Sequence, residues 1–460
     1  MKRAVKAASA EWSTGRRVAL RRDGGAPAFV GGIRFAAACA CLAGLLLSGC
    51  WSPPAEFRLN EVYVLKREMD NKEAFGRQRR QDVALVLAAQ WGTPDDPAVP
   101  ELSDVDVSSV LNIDLLRLAA GPVGRDEQGR ERGLYRKHCA HCHGITGDGA
   151  GPTAIFLDPY PRDYRLGVFK FKSTTKGEKP THEDLQRTLV EGLPDTAMPS
   201  FKLLAEPEIE ALIHYVRYLS IRGEVERRLI DEAADVDEQE GERLINVALQ
   251  DEDQARFERQ LKNLRDRSAD VIRDWQNAES AVTEIAPRQG GTPHGEALQA
   301  SIDRGRELFY GAVANCVKCH GDSAQGDGQT TDWDDWTQDW TIKGSSSIDP
   351  KGERPKDARA IREFLAVGAL PPRNIRPRNL RDGVYRGGRR PIDLYWRFVN
   401  GIDGTPMPGA ARKADDAPEG VEGLTTEDIW CLIDYVRHLP YEPMSHGGRA
   451  AVEFARERPN

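Results

Sequence analysis

Two five-residue motifs constrain this chain more than any other feature of its sequence. Residues 139–143 read Cys-Ala-His-Cys-His, and residues 316–320 read Cys-Val-Lys-Cys-His. One helical turn brings both thiols of a motif to one side, with the imidazole of the next residue beside them. A structural zinc site would want four protein ligands, and neither motif has another Cys-x-x-Cys or a histidine pair near it. A redox-active dithiol would not require the histidine.

The spacing Cys-x-x-Cys-His is the attachment sequence of c-type haem. In each motif the two thiols would reach the two vinyl groups of one haem, and the imidazole would bind its iron. We therefore expect two haems c, both covalently attached. The expected residues are Cys139, Cys142 and His143 in the first motif and Cys316, Cys319 and His320 in the second.

The other axial ligand of each iron must come from elsewhere, and methionine is scarce in this chain. Met198 and Met407 both stand in the sequence Thr-x-Met-Pro, a few residues after Gly192 and Gly401. The rigid proline suits a loop that points the thioether inward. The alternative is that each methionine fills a core. We predict His/Met ligation of both irons, which raises the reduction potential of a haem relative to bis-His ligation.

The similarity between the two halves extends well beyond these motifs. Residues 161–169 read Pro-Arg-Asp-Tyr-Arg-Leu-Gly-Val-Phe, and residues 377–385 read Pro-Arg-Asn-Leu-Arg-Asp-Gly-Val-Tyr. After each methionine, apolar residues recur at i, i+3, i+4 and i+7, which predicts a helix with one face on a core. These residues are Ile209, Leu212, Ile213, Val216 and Leu219 in the first copy and Ile429, Leu432, Ile433, Val436 and Leu439 in the second.

In these features the chain resembles class I cytochrome c, a family of small all-α domains that wrap a haem. Gly133-Leu134-Tyr135 resembles the N-terminal helix of the family, and residues 144–152 resemble the loop after the haem motif. The resemblance implies that the carbonyl of Pro152 accepts a hydrogen bond from His143 and orients it. The second copy departs from the pattern at residues 326–330, so the resemblance leaves the partner of its histidine open.

Two arginines follow a proline at matched places in the repeat, Arg162 and Arg378. An arginine near a haem commonly meets a propionate, because the two form charge-assisted hydrogen bonds. An ordinary surface position is the alternative for both. We expect them to bind the haem propionates.

The N-terminus resembles an export signal. An apolar stretch at residues 35–47 follows a basic region with Arg16, Arg17, Arg21, Arg22 and Arg34, and it is too short to span a bilayer as a mature helix. The stretch ends in Leu-Ser-Gly-Cys at residues 47–50, which resembles the lipobox of bacterial lipoproteins. This implies that Cys50 carries a lipid anchor; the alternative is a plain secretory signal with an incidental cysteine. We expect an exported protein on the periplasmic side of a membrane.

The fold expected from these features is all-α, with two tandem cytochrome c-like domains separated by a charged helical spacer. The expected ranges are 1–49 for the lipoprotein signal, 50–125 for an N-terminal extension, 126–222 for the first domain, 223–297 for the spacer, 298–442 for the second domain with an insertion at about 331–372, and 443–460 for a tail.

Charge and ligation favour an electron carrier. With 72 Asp and Glu against 64 Lys and Arg, the net charge of −8 argues against a nucleic-acid surface. We expect one-electron transfer between a redox protein donor and an acceptor such as a terminal oxidase. The alternatives are a di-haem enzyme such as a peroxidase, which needs an open iron site with acid–base groups, and a permanent haem subunit of an oxidase or dehydrogenase complex.

Overall fold

The computed structural model describes residues 54–333 and 358–443, apart from Gln239 and Glu419. The predicted signal, Cys50, much of the predicted insertion and nearly all of the predicted tail lie outside the described residues. In the described part, no helix has the length and apolar character needed to cross a membrane.

The described residues are mostly helical, which confirms the all-α prediction. A short antiparallel pair, β1 (Gly124–Arg125) with β2 (Glu131–Arg132), is the sheet formed within them. The α-helices are α1 (Glu61–Asn71), α2 (Arg77–Trp91), α3 (Ile113–Ala119), α4 (Leu134–His138), α5 (Ala140–His143), α6 (His182–Glu191), α7 (Glu206–Ala234), α8 (Leu249–Glu252), α9 (Gln254–Gln276), α10 (Gly295–Tyr310), α11 (Val317–His320), α12 (Ala358–Ala366), α13 (Pro391–Asn400) and α14 (Thr426–His438).

The long helix α7 is the centre of the first half. Its first turn carries Pro207, and the Glu208 carboxylate accepts a hydrogen bond from the Ala205 amide at 2.9 Å, so the helix start is capped. Helices α2, α3, α6 and α9 all pack against it. Most of its 29 residues are buried, including Leu212 and Leu229. The helix runs through residue 222, where the sequence suggested that the first domain ends.

The charged segment after residue 222 is helical, as predicted, and it lies against the first domain. Helix α9 buries Phe257, Leu261 and Leu264 in the core that α7 organises. Its charged residues occupy the opposite face, which is why the sequence reads as polar. The N-terminal extension joins the same core; for example, the Tyr215 hydroxyl donates to the Pro94 carbonyl at 3.2 Å. The N-terminal extension and the charged segment are therefore both part of the first domain.

The second domain is built on the crossing of α10 and α14. A side chain at Gly305 of α10 would collide with the carbonyl oxygen of Cys431 in α14, so this glycine permits the close approach. Helix α14 begins with a capping box, in which the Thr425 side chain accepts from the Asp428 amide at 3.1 Å. Helix α13 also packs on α14. The second domain thus has its own core.

Candidate functional site

Each cysteine motif folds as one tight turn that ends at a glycine. The amide of His143 donates to the Cys139 carbonyl at 2.9 Å, and the amide of His320 donates to the Cys316 carbonyl at 2.9 Å. The glycine that follows each histidine has a positive φ, 73° at Gly144. A side chain there would collide with a nearby aspartate, which is Asp148 in the first motif. The two motifs therefore present their thiols and imidazole in the same way.

The ring of His143 is held by a backbone carbonyl, but not by the one we expected. Its Nδ1 lies 3.1 Å from the carbonyl oxygen of Arg162. The Pro152 carbonyl, which we expected to accept from His143, is therefore not its partner, and Pro152 is exposed. Because a carbonyl only accepts, Nδ1 donates, and Nε2 keeps a lone pair for a metal.

The histidine of the second motif is also held by a backbone carbonyl. The Nδ1 of His320 lies 3.2 Å from the carbonyl oxygen of Arg378, the residue that matches Arg162 in the repeat. The sequence repeat predicts a shared role for the side chains of the two arginines. What Arg162 and Arg378 share in the structure is the position of the backbone carbonyl. Each is followed by a short helical turn, Tyr164–Leu166 in the first domain and Leu380–Asp382 in the second.

Burial keeps these donor groups neutral. It lowers the pKa of His143 to about 4 and also lowers the pKa of His320. Burial raises the pKa of the Cys139 and Cys316 thiols to about 12. A neutral imidazole is the form that binds a metal. A neutral thiol is a weak nucleophile, since the thiolate is the reactive form.

The two methionine loops have the same hydrogen bonds. The Met198 amide donates to Thr196 Oγ1 at 3.1 Å, and its carbonyl accepts from the Leu193 amide at 3.1 Å. The Met407 amide donates to Thr405 Oγ1 at 3.2 Å, and its carbonyl accepts from the Ile402 amide at 3.2 Å. The threonine of the Thr-x-Met-Pro sequence is therefore the residue that fixes each loop.

The first domain contains a cavity that brings together most of the residues predicted for the first haem. Its wall includes both thiols, the imidazole and the thioether, and the rest of the wall is largely apolar. The predicted residues in this wall are Cys139, Cys142, His143, Arg162 and Met198. Two thiols, one neutral imidazole and one thioether around an apolar cavity match what a covalently attached haem needs. Among the described residues, His, Cys, Asp and Glu side chains alone form no group of three or more that could hold a metal ion.

The surroundings of the two histidines differ. Tyr164 stacks on the His143 ring, with centroids 4.6 Å apart and an interplanar angle of 15°. The matched residue of the second domain is Leu380. There the aromatic neighbour of His320 is Phe309, at 6.3 Å and 50°. The first imidazole is thus held by a parallel ring and the second is not.

The contact between the domains involves both methionine loops. Asp403, four residues before Met407, accepts from Lys172 Nζ and from the Gly177 amide of the first domain, each at 3.0 Å. Asp195, three residues before Met198, pairs with Arg378 and Arg386 of the second domain. Sequence reasoning missed these contacts, since single charged residues in a loop do not reveal a partner far away in the chain.

Comparison with known proteins finds a family match in each half. Residues 127–216 match the family model described as cytochrome c oxidase, cbb3-type, subunit III, and residues 302–440 match the family model for cytochrome c. No significant match was found among curated proteins.

Among solved structures, a chain of the Kuenenia stuttgartiensis reducing HAO-like protein complex is similar to this one. The sequence identity is 23%, and the alignment covers 69% of this chain and 98% of that chain, with a TM-score of 0.37. A TM-score of this size does not establish a shared fold.

Proposed function

We propose that this chain, which contains two cytochrome c domains, carries single electrons through two haems with His/Met axial ligands. Two cytochrome c domains imply two covalently bound c-type haems and haem-based electron transfer. The observation that supports the proposal best is the cavity wall of the first domain, where Met198 lies with the Cys139–His143 motif. An iron with both axial positions filled exchanges electrons and does not bind substrate.

In this proposal the haem supplies the one-electron chemistry, and the chain holds it. Cys139 and Cys142 attach the first haem, while the Arg162 carbonyl orients His143 toward the iron. Cys316, Cys319, His320 and Met407 act in the same way in the second domain, where the Arg378 carbonyl orients the histidine. The largely apolar wall would limit the access of water to a bound haem, which would lower the reorganisation energy of electron transfer. We also propose that Arg162 binds a propionate of the first haem, since it lines the cavity.

The test is haem quantification per chain, followed by reduced-minus-oxidised spectra with and without carbon monoxide. We expect two haems and no spectral shift with carbon monoxide, because thioethers close both irons. The variants Met198→Ala and Met407→Ala should each open one haem to carbon monoxide. A shift at either haem of the unmodified protein would contradict the ligation scheme and favour an enzyme, such as a peroxidase.

We propose further that the protein is exported and anchored to a membrane by a lipid on Cys50. The support is the apolar stretch that ends in Leu-Ser-Gly-Cys at residues 47–50. An anchor would hold the carrier on the surface where its partners lie, which raises their effective concentration. Metabolic labelling with a fatty acid, compared between the unmodified protein and Cys50→Ala, tests the anchor. Labelling that survives the substitution would refute it.

A second candidate is a permanent haem subunit of an oxidase or dehydrogenase complex. The match of residues 127–216 to a family named for a subunit of cytochrome c oxidase favours it. In that case a terminal oxidase would be bound permanently to this chain and would not be reached by diffusion. Purification from detergent-solubilised membranes separates the two: a lone chain supports the carrier, and stoichiometric further subunits support the complex.

A further inference from the structure

The second domain forms part of the wall around the first cavity. Its residue Arg386 lies in that wall together with the first haem motif and Met198. Gly387, with a φ of 81°, packs so closely on the Phe171 ring that a side chain there would collide with it. Phe171 is itself part of the wall. The segment around residue 386 therefore closes one side of a site that the first domain cannot complete alone.

A second contact ties the same two parts together. The Arg373 guanidinium lies 3.9 Å from the centroid of the Tyr160 ring and donates to the Ile155 carbonyl at 2.7 Å. The Tyr160 hydroxyl donates to the Pro371 carbonyl at 3.0 Å. Tyr160 also lines the cavity. The position of the second domain against this wall is thus fixed from two directions.

Two guanidinium groups at this place share one ion-paired carboxylate. Arg378 and Arg386 both pair with Asp195, and among the described residues this is the carboxylate within ion-pair distance of either guanidinium. Arg386 is 27% exposed and Arg378 is 23% exposed, so both are largely withdrawn from water. Arg386 also feels the charge of Asp158, but that carboxylate is not paired with it, so two guanidinium groups share one ion-paired carboxylate beside the cavity. A half-buried positive charge favours an anionic partner.

We propose that Arg386 of the second domain faces a propionate of the first haem and sets the charge at that site, with Asp195 as its positioning residue. This inference rests on the proposed first haem site. The haem carboxylates are its anionic groups, and a guanidinium binds a carboxylate with two parallel hydrogen bonds. Asp195 lies in the same loop as Met198, so its ion pair with Arg386 positions that arginine relative to the methionine loop.

The sign of the effect follows from electrostatics. Oxidation adds one positive charge to the haem, so a positive neighbour disfavours the oxidised form and raises the midpoint potential. Loss of the Arg386 charge should lower the potential of the first haem. Loss of the Asp195 charge should raise it, because Arg386 and Arg378 remain without their counter-charge. A general loosening of the fold would not give opposite signs for two residues of one ion pair.

The experiment is a potentiometric titration of the full-length di-haem protein, followed by haem absorbance. The first haem is identified as the wave that Met198→His moves, since bis-His ligation lowers the potential. We expect Arg386→Gln to lower the midpoint potential of that wave by about 59 mV, which is on the order of a tenfold change in the one-electron reduction equilibrium. Arg386→Lys keeps the charge and should shift it less, and Asp195→Asn should shift it upward.

The matched control is Arg389→Gln, which removes the same charge three residues along the chain. Arg389 is exposed and lies against the Tyr441 hydroxyl. It should move the first wave by less than twofold. The inference is overturned if Arg386→Gln leaves the first wave in place, if it moves the second wave instead, or if Arg386→Gln and Asp195→Asn shift the first wave in the same direction. Failure of Met198→His to move any wave would instead refute the proposed ligation.

Discussion

The ion pair between Lys172 and Asp403 should be a main determinant of how the two domains are held together. Its side chains are 4% and 8% exposed, and Nζ lies 3.0 Å from Oδ2. Removing one partner of a buried pair leaves an uncompensated charge, which costs about 3–5 kcal/mol. Here the cost should be at the low end, because Lys172 also donates to Thr174 Oγ1 at 3.1 Å and Asp403 keeps the Gly177 amide.

The measurement is a double-mutant cycle with Lys172→Met, Asp403→Ala and the double variant. We expect each single change to cost about 3 kcal/mol and the double change to cost little more, which gives a coupling energy of roughly 2–3 kcal/mol. Hydrogen exchange of the backbone around residues 172–177 and 400–407 reports the local opening free energy without assuming a two-state transition. About 3 kcal/mol corresponds to a loss of protection on the order of a hundredfold.

The control pair is Lys262 and Asp266 on the exposed face of α9, at 2.6 Å with 73% and 43% exposure. Its removal should leave exchange unchanged within error, since exposed helical pairs contribute little. Additive effects of the Lys172 and Asp403 substitutions would refute the reasoning, because they would mean that the two charges do not depend on each other.

Two further predictions concern the cores. Gly305→Ala should destabilise the second domain by about 1–3 kcal/mol through overpacking of α10 on α14, whereas Gly124→Ala, with open space around it, should be neutral in thermal unfolding. Burial lowers the pKa of His214 to about 4, so the unfolded chain takes up the proton first as pH falls and stability decreases from about pH 6.5 towards pH 4. His214→Gln, which keeps an acceptor for the Asn112 amide, should weaken that pH dependence in urea unfolding; an unchanged slope would contradict this account.

The sequence predicts the repeated local structure well, because that structure depends on neighbours in the chain. The haem motifs, the Thr-x-Met-Pro loops and the amphipathic closing helices are short patterns with a geometric reason, and all of them are regular in the structure. The partner of His143 is not predictable in this way. It lies nineteen residues away, and it is a backbone carbonyl, which every residue type offers.

Long-range packing is the part that the sequence does not reveal. Helix α9 reads as charged, yet its apolar face joins the first core, and only the partner helix α7 determines where that face goes. Asp195 and Asp403 read as ordinary loop residues. Their partners stand 183 and 231 residues away, and no local pattern encodes such a distance.

The two proposed haem sites have the same predicted ligands, but the residues around them differ. The first histidine is stacked on Tyr164, and the first cavity receives Arg386 from the other domain. The second histidine has Leu380 at the matched place, and its orienting carbonyl belongs to Arg378, whose side chain pairs with Asp195. Asp195 therefore pairs with arginines beside both proposed haem sites. We therefore expect a change in charge at one haem to affect the other, so that the two reduction steps are not independent in a potentiometric titration.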